Sequence, residues 1–91
     1  MSEQDVLGSI EGLRSHIDDI DEQIVALLNK RQVLALAIRA LKPQAQLGLF
    51  DPKREEQIYE RIGACNEGPL YADDLRSIYA VILKVSKEMQ G

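Results

Sequence analysis

Charged residues stand along a stripe that is otherwise apolar. In the row Ile10, Arg14, Ile17, Asp21, Ile24, Leu28, Arg31, Ala35, Ile38, Lys42 the steps alternate four and three. On a helix these ten positions share one face. Three cations and one carboxylate therefore sit on or beside a seam built to be buried. Burying a charge without a partner costs several kcal/mol. Asp21 can pair with one cation. The positive charge left over requires an anion that the helix itself does not supply, and a guanidinium fork matches a carboxylate.

Arg31 and Lys42 are eleven residues apart, hence nearly eclipsed and about 16 Å apart along a helix axis. Long side chains can converge there on a small ligand, and Ala35 between them leaves room. Arg14 lies about 25 Å from Arg31 and about 42 Å from Lys42 along the same helix. It cannot reach that ligand in its own chain, but it can approach the partner's site in an antiparallel dimer. Asp51, Arg54 and Glu55 cluster at the start of a second helical segment. Glu55 is an acceptor suited to a hydroxyl. Ser86 and Gln90, one turn apart, continue the row Leu75, Tyr79, Ile82 and point inward.

Three helices and no strand must position these groups, an all-α fold. The first is expected from about Asp5 to Lys42. Its seam of Val6, Ile10, Leu13, Ile17, Ile20, Ile24, Leu27, Leu34, Ile38 and Leu41 is interrupted only at Arg31, and Pro43 ends it. Residues 44–50 form a loop. Asp51-Pro52 reads as an N-cap followed by proline at the first helical position. The second helix carries Ile58, Ile62 and Cys65 on one face and stops at Asn66-Glu67-Gly68-Pro69. The third is expected from about Ala72 to Gln90, with Leu75, Ile78, Tyr79, Ile82, Val85 and Met89 as its stripe. A first helix of about 38 residues spans about 57 Å, whereas a compact domain of this length is about 30 Å across. The two shorter helices cannot cover such a seam. The expectation is an intertwined homodimer with the long helices antiparallel.

At 91 residues the chain is read as a single domain, 1–91. Being 45% hydrophobic and 29% charged, it should fold. The net charge of −4 argues against nucleic acid as a partner, and no apolar run is long enough to cross a membrane. The single cysteine cannot form an internal disulfide, and the acidic N-terminus is no signal peptide. The expected location is the cytoplasm.

The segment Leu13-Arg14-Ser15-His16-Ile17-Asp18-Asp19-Ile20-Asp21 resembles the opening motif of the all-helical class of chorismate mutase. Arg31 and Lys42 follow at that family's spacing. Asp51-Pro52-Lys53-Arg54-Glu55 resembles its loop-to-helix segment, and Ser86 and Gln90 stand where it has its last two site residues. The likeness runs from about Leu13 to Gln90. It implies a free-standing enzyme of phenylalanine and tyrosine biosynthesis that rearranges chorismate to prephenate with no metal and no organic cofactor. It further implies roles. Arg14 (from the partner chain) and Arg31 bind the two substrate carboxylates. Lys42 and Gln90 donate to the ether oxygen. Glu55, with backbone near Asp51, binds the ring hydroxyl, and Arg54 and Ser86 complete the polar wall.

Taken singly, each residue has an ordinary structural use. Arg31 can be an ion-paired or snorkelling side chain, Lys42 a helix C-terminal charge, Asp51 an N-cap, and Arg54 and Glu55 a solvated face. The joint pattern and the resemblance together favour a site. An isochorismate-pyruvate lyase shares the fold, but lyases of this type lack an acidic residue at the position of Glu55. A non-enzymatic helical dimerisation module would explain the seam but not Arg31 within it.

Overall fold

A computed structural model describes residues 2–44 and 51–89 of the chain. Among them are three helices and no strand: α1, Glu3–Leu41; α2, Pro52–Cys65; and α3, Ala72–Glu88. The chain divides into two units, residues 1–34 and residues 35–91.

The first unit is the greater part of α1. The helix begins two residues earlier than expected, because Ser2 and Asp5 cap it reciprocally. The Ser2 hydroxyl accepts from the Asp5 amide at 3.2 Å, and the Asp5 carboxylate accepts from the Ser2 amide at 3.2 Å. This is a capping box with aspartate in place of glutamate. Every residue from 2 to 30 is exposed, the seam leucines and isoleucines included. Leu13 is 64% exposed and Ile24 47%.

In the second unit α2 and α3 pack against each other. Their facing rows are Glu55, Ile58, Tyr59 and Ile62 on α2, and Leu75, Tyr79, Ile82 and Ser86 on α3, all half-buried around the buried Leu83. Full burial of one leucine stabilises by only about 1.5–3 kcal/mol. The guanidinium of Arg76 lies 3.9 Å from the centroid of the Tyr59 ring and 3.7 Å from a carboxylate oxygen of Glu56. The connection turns at Gly68, whose φ of 77° favours glycine. Asn66 steadies it, accepting from the Gly68 amide at 3.1 Å and donating to the Leu70 carbonyl at 3.0 Å. The expected stop at Asn66-Glu67-Gly68-Pro69 is therefore where α2 ends.

Two side-chain expectations change. Cys65 is exposed, not packed. At about 100° per residue the buried face of α2 centres between Glu55 and Ile62, and Cys65 falls off its edge. On α3 the expected stripe is split. Leu75, Tyr79 and Ile82 turn inward, while Ile78, Val85 and Met89 remain exposed as an apolar flank.

Candidate active site

Asp51 sets the register of α2. Its carboxylate accepts from the Arg54 amide at 3.0 Å, and its carbonyl accepts from the Glu55 amide at 3.1 Å. Pro52 at the start has no amide to satisfy. This register turns Glu55 onto the packed face of α2, where its side chain is 28% exposed. Arg54, about 100° away, remains exposed.

Ser86 is half-buried at the other end of the facing row, as its periodicity implies. Beside it, Lys87 reaches from the last turn of α3 to the first turn of α2, with Nζ 2.7 Å from Glu55 Oε1. The end of α3 is held in turn by Arg39, whose Nη1 donates to the carbonyls of Lys87 and Met89. Carbonyls in the last turn of a helix have no intrahelical donor, and the guanidinium supplies one. Lys42, half-buried, follows directly after the last residue of α1, its amide still bonded to the Ile38 carbonyl at 3.0 Å. The tail of α1, the head of α2 and the tail of α3 thus converge, and they carry Lys42, Asp51, Arg54, Glu55 and Ser86. Gln90 lies outside the described residues. α3 ends at Glu88, short of the expected Gln90, with Met89 extended at φ −68° and ψ 132°.

The first unit carries Arg14 and Arg31. Arg31 is half-buried and makes no hydrogen bond or ion pair among the described residues. Arg14 is exposed and pairs with Glu11 at 3.3 Å, so it is not the seam cation that Asp21 was expected to hold. Glu11 is one turn away, whereas Asp21 is two turns along the same rigid helix. Both side chains of the Arg14–Glu11 pair are at least two-thirds open to water, so the pair is worth little and Arg14 can exchange it for another anion. The helix between Arg14 and Arg31 is unbroken, which puts them about 25 Å apart along its axis. They cannot grip one small ligand within one chain.

Sequence reasoning misses Lys87 and Arg39. In sequence each is a cation in the last turn of a helix, a placement that helix-dipole complementation alone explains. Together the converging groups offer cations, hydrogen-bond donors and two carboxylates, Asp51 as the cap of α2 and Glu55 on the packed face. Such a set orients a polar anion and stabilises developing charge. No group of three His, Cys, Asp or Glu among the described residues could hold a metal ion. A shallow hollow lined by Tyr59, Ile62, Gly63 and Arg76 includes none of the expected site residues.

The fold and these groups define an all-α protein built from one long charged-seam helix and a short helix pair. Residues 13–91 match the family described as chorismate mutase type II. The chain belongs to that enzyme family. It is 32% identical over 79 residues to a chorismate mutase of Methanocaldococcus jannaschii, covering 86% of this chain and 80% of that protein. It is 43% identical over 58 residues to a bifunctional chorismate mutase/prephenate dehydratase of Aquifex aeolicus, covering 64% of this chain but only 16% of that protein. The solved chorismate mutase of Thermus thermophilus (form II) superposes with a TM-score of 0.85 at 33% identity, covering 90% of this chain and 97% of that one.

Proposed function

We propose that this protein is a chorismate mutase, an isomerase that converts chorismate to prephenate on the way to phenylalanine and tyrosine, and that residues 1–91 form one cytoplasmic mutase domain. The observation that carries the reading is Glu55. A glutamate on the first turn of a helix is ordinarily solvated, yet this one is turned onto the packed face and held at 2.7 Å by Lys87. It is also the residue that separates the mutase from a lyase of the same fold.

The reaction is an intramolecular rearrangement. The ether carbon–oxygen bond breaks as a carbon–carbon bond forms, and no atom enters or leaves. It requires no nucleophile. The barrier falls when the enolpyruvyl arm is held over the ring, which is the part assigned to Arg31 and to Arg14 of a second copy. Negative charge grows on the ether oxygen as its bond breaks. Lys42 and Gln90 are assigned to donate there, where fixed donors favour the transition state over the ground state. Glu55 takes the ring hydroxyl, while Asp51, Arg54 and Ser86 complete the wall.

The active form in this reading is a homodimer. The exposed seam of α1 and the long separation of Arg14 from Arg31 support it, since a second antiparallel copy covers the one and remedies the other. The test is to mix the protein with chorismate, follow the loss of its ultraviolet absorbance, and identify the product. Prephenate is expected. Unconsumed chorismate together with pyruvate release from isochorismate would overturn the reading in favour of the lyase.

A further inference from the structure

We infer that Lys87 is a positioning residue for substrate recognition. It holds Glu55 through one carboxylate oxygen and offsets its charge, so that the other oxygen can receive the hydroxyl of a dianionic substrate. The inference rests on the chorismate mutase reading and adds to it a residue that no site motif contains.

A bare carboxylate is a poor neighbour for a substrate that carries two carboxylates of its own, since like charges repel. Glu55 is on the inward face of α2, where most of its side chain is covered. The Lys87 ammonium, 2.7 Å from Oε1, supplies the compensating charge and leaves Oε2 available to accept. Lys87 is itself held from behind, because Arg39 Nη1 donates to its carbonyl at 3.1 Å. Side chain and backbone of one residue thereby link the tail of α1, the tail of α3 and the head of α2. The Lys87 side chain is 49% exposed, so water screens the pair and the effect is moderate.

The test is a double-mutant cycle on the full chain with Lys87→Met, Glu55→Gln and the double variant, and Lys87→Arg as the conservative control. Kd for prephenate, a dianion that retains the ring hydroxyl, is measured by calorimetry in all five proteins beside KM and kcat for chorismate. Lys87→Met should raise KM and Kd about two- to fivefold, the scale of one partly screened ion pair, with kcat near that of the wild type. Lys87→Arg should stay near wild type. In the Glu55→Gln background, where no carboxylate remains to be offset, Lys87→Met should add nothing. An equal rise in both backgrounds, or no rise in either, would overturn the role of Lys87. So would a loss of kcat that tracks a fall in Tm. Failure of the wild type to consume chorismate would instead remove the underlying reading, and the role of Lys87 with it.

Discussion

The carboxylate of Asp51 accepts a hydrogen bond from the backbone amide of Arg54 at 3.0 Å, and this contact decides where α2 begins and hence which way Glu55 faces. An N-cap of this kind is worth about 1 kcal/mol, and asparagine serves nearly as well as aspartate. Asp51→Ala should therefore lower stability by about 1 kcal/mol, whereas Asp51→Asn should lose little. Urea unfolding followed by circular dichroism checks both. Equal loss in the two variants would mean that the charge, not the hydrogen bond, is what α2 requires.

A dimer is expected at micromolar concentration, because the α1 seam exposes more large apolar side chains than a stable single chain leaves in water. Sedimentation equilibrium should give twice the chain mass of 10.2 kDa. Ile24→Glu, in the middle of the seam, should shift the protein to monomer and abolish activity. A folded, active monomer would refute shared sites.

Arg14→Ala and Arg31→Ala should each lower kcat/KM by at least about 10²-fold. Mixed after unfolding and refolding together, they should recover about a quarter of wild-type activity. Half of the random dimers are then heterodimers, and each rebuilds one of two symmetric sites. No recovery, with heterodimers demonstrated by mass, would refute the partner-chain role of Arg14.

Glu55→Ala should lose about 10²-fold in kcat/KM through loss of substrate orientation while keeping the helical circular dichroism signal. Unchanged kinetics would withdraw the hydroxyl assignment and reopen the lyase reading.

Gln90→Glu should make activity pH-dependent. An amide has a donor at every pH, while a carboxyl group donates only when protonated. As a carboxylate it also repels the charge growing on the ether oxygen. The variant should be most active in mild acid and fade as pH rises through the titration of the new carboxyl, with no matching loss in the wild type. Parallel kcat/KM profiles from about pH 4.5 to 8 would show that residue 90 does not face the breaking bond.

What the sequence by itself determined is whatever a single helix can express. The 3.6-residue period places Arg31 in the seam of α1 and Ser86 in the inward row of α3. The Asp51-Pro52 step marks the start of α2, and the Ser2–Asp5 box at the head of α1 is equally local and legible in the same way. Tertiary structure decided the rest. Glu55 and Lys87 are 32 residues apart, and Arg39 is 48 from Lys87. Only the packing of α2 on α3, with the tail of α1 beside them, brings these three together. The same packing leaves Cys65 and the Ile78–Val85 flank outside. The physical reason is that periodicity gives each helix a face but not its neighbour, and an ion pair between helices depends on which ends meet.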